Sequence, residues 1–148
     1  MPIIQTTTQA EINAALARKI QRIERAAVRS LRYCGEECVN HARANHTFIT
    51  RTGNLASSIG YVVAKDGKAV HYSDFRAEKG GAEGGKAGKR YAAELAAQCG
   101  QGLALIVVAG MNYAKYVSGR GYDVLDGAER LAERIVPQML RQLNITQE

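Results

Sequence analysis

Three signals are missing from this sequence, and each absence narrows what the chain can do. Cysteine pairing is the first: 148 residues hold three cysteines, Cys34, Cys38 and Cys99. The number is odd and no C-x-x-C knuckle is present, which argues against a disulfide framework and against a structural zinc site. Cys34 and Cys38 stand one helical turn apart on an apolar stripe, an ordinary place for small buried thiols. The second is a membrane signal. The longest uncharged apolar run, Leu103 to Met111, falls well short of the roughly 20 residues a spanning helix needs. Met1 to Gln9 carries neither the basic start nor the apolar centre of a secretory leader, so the expectation is a reduced, cytoplasmic protein. The third is a catalytic constellation. His41, His46 and His71 stand in no motif with a nucleophile and a carboxylate. Gly80, Gly85 and Lys86 fit the register of a phosphate-binding loop, yet Ala87 replaces the magnesium-binding Ser or Thr. No Asp closes the run Leu103 to Ala109 as a second nucleotide-hydrolase motif would. Neither an enzyme, a metal nor a cofactor is expected.

Acidic residues are also in deficit. Lys and Arg number 20 against 14 Asp and Glu, giving a formal charge of +6. Such a balance suits contact with a polyanion and equally suits plain solubility. The 46% apolar and 23% charged content excludes wholesale disorder, and the length fits one domain, residues 1–148, with a core of its own.

What is present is periodic. Thr8 followed by Glu11 has the pattern of a capping box. Behind it Ile12, Leu16, Ile20, Ile23, Ala27, Leu31, Cys34 and Cys38 recur at steps of three and four, the stripe of an amphipathic helix over about 8–45. Such a helix would run ~50 Å, longer than a small domain is wide, so part of it is expected to project or to pack on another subunit. Gly35 is the natural place for a bend or a break. Arg18, Arg22, Arg25, Arg29 and Arg32 cluster opposite the stripe as a solvated face or as a polyanion-facing or subunit-facing one.

The sheet region is expected over about 48–118. Thr52 caps a single helical turn through Ser58, Ile59 to Ala64 reads as a strand, Asp66-Gly67 as a hairpin turn, and Lys68 to Tyr72 as the partner strand. Residues of about 76–90 are rich in Gly and Lys and lack any large apolar side chain, which predicts a mobile insertion. Tyr91 to Cys99 reads as a short helix with Tyr91, Leu95 and Cys99 on one face. Leu103 to Ala109, apolar and rich in β-branched residues, reads as the central strand, buried on both faces. A last helix over about 126–143 starts at Asp126 as its cap, with Pro137 kinking it or ending it nearby.

The order of these pieces carries a resemblance. A basic amphipathic helix, then Thr52-Gly53-x-Leu55-x-x-Ser58-Ile59, then an apolar strand running into Asn112-Tyr113-Ala114-x-Tyr116-Val117, then a C-terminal helix, resembles the neck and tail-component proteins of long-tailed phages and prophages. The likeness spans roughly residues 10–140, with an unmatched insertion around 73–102. Ser118 stands where that family often has an acidic residue. The resemblance implies an α+β fold, a small antiparallel sheet flanked by a long N-terminal and a C-terminal helix. It further implies a non-enzymatic virion protein, a head-tail connector or tail-completion subunit. Such a protein would form a ring of identical copies, contact other head-tail junction proteins, and lie in the host cytoplasm during assembly and then in the virion. The alternative is a small basic module that binds nucleic acid without sequence preference through the Arg18 to Arg32 face and the Gly- and Lys-rich segment; the two overlap where DNA passes through a phage neck.

Overall fold

The computed structural model describes residue 4 and residues 6–45, 53–77, 80–111 and 124–143. Its elements are α1 (Gln9–Asn45), α2 (Asn54–Ser57), β1 (Ile59–Lys65), β2 (Lys68–Tyr72), α3 (Ala82–Gln98), β3 (Leu103–Ala109) and α4 (Asp126–Arg141). The fold is α+β: the three strands form an antiparallel sheet in the order β2-β1-β3, and α4 packs against α1.

Local chemistry sets the start of α1. The Glu11 amide donates to the Thr8 hydroxyl at 3.1 Å and the Thr8 amide to the Glu11 carboxylate at 3.3 Å, so the expected capping box is formed and two otherwise orphan donors are satisfied. The Asp66-Gly67 turn has φ of 53° and 81°, the pair of positive values that a two-residue hairpin matching the strand twist requires. Gly53, φ 78°, precedes the single turn α2. Leu55 and Ile59 then drop into the core.

Alternation along β1 builds two cores. Ile59, Tyr61 and Val63 face one way, against Leu31, Cys38 and Val39 of α1 and Ala128 of α4. Val62 and Ala64 face the other way, against Phe75 and against Ala92 and Ala96 of α3. The sheet is thus covered on both faces, α1 and α4 on one and α3 on the other.

Several sequence expectations are corrected. The central strand is β1, wholly buried from Ile59 to Ala64, whereas among the described residues β3 is an edge strand in which only Val108 is fully buried. Both faces of β3 are apolar because helices cover both, and periodicity reports faces without reporting edges. The expected mobile insertion is largely the first half of α3. Gly84, Gly85 and Gly88 are buried there, and a Cβ on Gly84 or Gly88 would collide with the carbonyl oxygens of Asn54 or Ser58. Lacking side chains, these glycines let two backbones touch, which holds the segment without any large apolar residue. The buried face of α3 continues through Ala92 and Ala96, while Tyr91 is exposed. Asp126 is the first helical residue of α4; the cap position is Leu125 and no side chain caps it. Pro137 lies inside α4, which runs on to Arg141.

Gly35 does not break α1, which is continuous through it. A Cβ there would lie 2.6 Å from two ring carbons of Tyr61, so glycine lets the helix settle directly onto the aromatic ring. Thr52, Tyr113, Ala114 and Tyr116 lie outside the described residues.

Candidate interaction site on the first helix

The α1 stripe runs in three strides of eleven residues: Ile12, Leu16, Ile20; Ile23, Ala27, Leu31; Cys34, Cys38, Ala42. An eleven-residue repeat is close to the natural helical period, so the stripe stays on one side of a nearly straight helix. From Ala27 onward it is core. Before Ala27 no residue of α1 is buried, and Leu16 and Ile20 are 54% and 55% exposed. The first part of α1, before Ala27, therefore forms an arm of about 27 Å on which Leu16 and Ile20 have no cover among the described residues.

The last turns of α1 are fixed instead by a residue whose importance the sequence did not signal. Arg43 is only 8% exposed. Its guanidinium donates to the carbonyl of Arg76 at 2.6 Å and to that of Ile59 at 2.9 Å, with a longer contact to that of Ser57. It ties α1 to the junction where Gly53, Leu55 and Ser58 turn the chain into β1. Ser58 itself is buried, its hydroxyl donating to the Leu55 carbonyl at 2.7 Å.

The arginine face divides along its length. Arg18 and Arg22 lie on the arm, while Arg25, Arg29 and Arg32 border an open groove between α1 and the β1-β2 hairpin, with Lys65, Val28 and Val70 completing it. Lys65 comes from β1 and was not foreseen. Its ammonium donates to Glu24 at 2.6 Å, and that hydrogen bond raises its pKa above the usual lysine value. Next to Arg32 the Tyr61 hydroxyl donates to Glu36 at 3.0 Å. Burial, reinforced by the Glu36 carboxylate, pushes this phenol up to about 12, against the opposing pull of Arg32. His71, whose ring centroid lies 5.8 Å from that of Tyr61, is pushed down by burial and then by the charge of Arg32.

The thiols do not gather. Cys34 and Cys38 are buried and free, Cys99 is partly exposed on the other side of the sheet, and burial pushes Cys38 up to about 11. Among the described residues no group of three His, Cys, Asp or Glu is placed to hold a metal, and no helix is long and apolar enough to cross a membrane. Lys86, from the near phosphate loop, projects from α3 in an exposed pair with Glu83, 3.7 Å away. Residues 82–86 are helical, so the loop that would cradle a phosphate is not formed.

Comparison of the chain with protein-family models, with curated proteins and with solved structures finds no match.

Proposed function

We propose that this protein is a virion structural subunit of the head-tail connector or tail-completion type, which self-associates into a ring and contacts neighbouring components of a phage or prophage neck. The observation that carries the reading is the uncovered stripe on the α1 arm. A helical segment of this length is marginal in water on its own, and exposed Leu16 and Ile20 in line with the core residues Leu31 and Cys38 call for a partner surface. The order of the Thr52 and Tyr113 motifs points to which class of assembly it serves. Light scattering after size exclusion, over a range of concentration at low and moderate salt, tests it. A discrete multimer of the 16.0 kDa chain is expected, and a monomer at every concentration refutes self-association.

One observation favours a second reading, nonspecific nucleic-acid contact: Arg25, Arg29 and Arg32 line one groove, in which Lys65 is paired with Glu24. Phosphate contacts there would give affinity that falls steeply with salt. Retention of DNA at low salt, unchanged in an Arg22→Gln/Arg25→Gln/Arg29→Gln variant, would rule this out.

A further inference from the structure

The outer edge of β3 is open, and the hydrogen bonds at the two ends of the strand say which of its residues stand there. The Asp66 amide donates to the Gly102 carbonyl at 3.0 Å and the Gly110 amide to the Ser58 carbonyl at 3.2 Å. They bracket the ladder that pairs Ile59 with Ala109 and Lys65 with Leu103. In an antiparallel ladder alternate residues turn amide and carbonyl towards the same neighbour. Ala104, Ile106 and Val108 therefore spend theirs on β1. Leu103, Leu105, Val107 and Ala109 turn theirs outward, where no strand meets them among the described residues. Side chains do not close this edge, since all of those on β3 except Val108 are only half-buried. Edge strands are ordinarily guarded by a charge, a proline, a bulge or shortness. The opposite edge has such guards: β2 spans 5 residues, begins at Lys68 and slips register against β1. β3 runs for 7 residues, LALIVVA, with no charge, no proline and no slip.

We propose that β3 of a second copy of this chain pairs antiparallel with β3 along this edge, about a two-fold axis at Ile106. The register follows from the groups on offer. Centred on Ile106, Leu103 meets Ala109 of the other copy and Leu105 meets Val107, so every outward amide and carbonyl finds a partner. A shift of two residues leaves some unpaired, and a shift of one sets outward groups of one copy against inward groups of the other. The side chains agree with this register. Leu103 lies across from Ala109 and Leu105 across from Val107 on the α1 side, and Ala104 across from Val108 on the α3 side, the larger against the smaller each time. The joined sheet has twice the three strands of one chain and ends on the guarded β2 at either side, so growth stops there. Pairing β3 with β2 of a further copy would instead leave one β3 open at the end of the row. The inference goes beyond the ring reading and shares with it only self-association: a two-fold contact stops at two copies, and a ring containing it holds an even number of copies in two facing layers.

Amide hydrogen exchange on the parent chain at rising concentration is the first test. The Leu105 and Val107 amides are expected to slow on the order of tenfold or more as copies pair, while the Ile106 amide, bonded to β1, is slow throughout. Cross-linking tests the register. Ile106→Cys in a Cys99→Ser background should oxidise to a linked dimer, because facing residues of a non-hydrogen-bonded pair have Cα atoms about 4.5 Å apart, within disulfide reach. Leu105→Cys, out of line with its own copy, should not. Val107→Pro removes only an outward amide, which an edge strand tolerates; with native far-ultraviolet circular dichroism, its self-association by light scattering should weaken on the order of a hundredfold. Leu105 and Val107 amides that exchange fast at every concentration overturn the pairing and leave the ring reading standing. So does a folded Val107→Pro protein that assembles like the parent. Protection that rises with concentration without the Ile106→Cys link assigns the edge to another strand and likewise overturns the pairing. A parent chain that is monomeric throughout overturns both. If Val107→Pro misfolds, exchange and cross-linking decide.

Discussion

Replacing Gly35 by alanine sets two known effects against each other. In an open helix interior the change stabilises by about 1 kcal/mol, because alanine restricts the unfolded backbone and glycine does not. At this position the new methyl would meet three Tyr61 ring carbons at 2.6, 2.6 and 2.9 Å. Carbon pairs rest at about 3.5–4.0 Å, so helix and ring must part by about 1 Å. The ring has little freedom to retreat. It is 0% exposed, its hydroxyl is held by Glu36, and the His71 ring lies beside it. Overpacking of this kind costs about 1–3 kcal/mol, and a buried, tethered ring puts it at the upper end, for a net loss of about 2 kcal/mol after the helix gain. Urea unfolding at one fixed protein concentration is the assay, since self-association raises apparent stability. The midpoint should fall by about 1 M. In a Tyr61→Leu background, with the ring gone, the same substitution should become neutral or stabilising. A Gly35→Ala protein more stable than the parent by about 0.5–1 kcal/mol would show that the helix does not rest on the ring, and the reasoning would fail.

Other outcomes follow from the same structure. Arg43→Ala leaves the buried carbonyls of Ser57 and Ile59 without their donor and should cost about 3 kcal/mol in urea unfolding; a loss below about 1 kcal/mol would mean that water replaces the guanidinium. His71 has a folded pKa below its usual 6.5, so the unfolded chain takes up the proton first. Its contribution is complete above about pH 6.5 and is lost as pH falls through the interval down to the lowered folded value. His71→Asn should therefore flatten the decline of the thermal midpoint on acidification, and an unchanged slope would place the titration elsewhere. Among the three cysteines an aromatic disulfide reagent should modify Cys99 first in the native protein and reach Cys34 and Cys38 only on unfolding, because burial holds the latter two as thiols. Equal rates for Cys34 and Cys99 would contradict the packing of α1.

What could be read from the sequence was what neighbouring residues decide among themselves. Thr8 with Glu11, Asp66 with Gly67, and the stride from Ile12 to Cys38 are local patterns, and each has the structure its chemistry demands. Where a residue's role is set by something distant in the chain, the sequence misled. Gly84 and Gly88 look like loop residues until Asn54 and Ser58 are brought against them, and Gly35 looks like a helix breaker until Tyr61 lies under it. Leu103 to Ala109 announces two covered faces and is silent about its open edge. The arginine row was legible as a row. Its neighbours Lys65 and Val70 were not, because only the hairpin brings them to α1, nor was Arg43, an ordinary helix-end cation by sequence and a buried tie in the fold.

The order of strands also has a temporal meaning. The β1-β2 hairpin closes through two turn residues, whereas β1 pairs Ile59 with Ala109 and Lys65 with Leu103 across all of α3. Local pairs form quickly, and pairs that close long loops form late. During folding the most deeply buried of the described strands, β1, therefore waits with one side unpaired until β3 arrives, and any second chain can occupy that place first. Refolding yield should consequently fall as chain concentration rises, even under conditions in which the finished fold is stable.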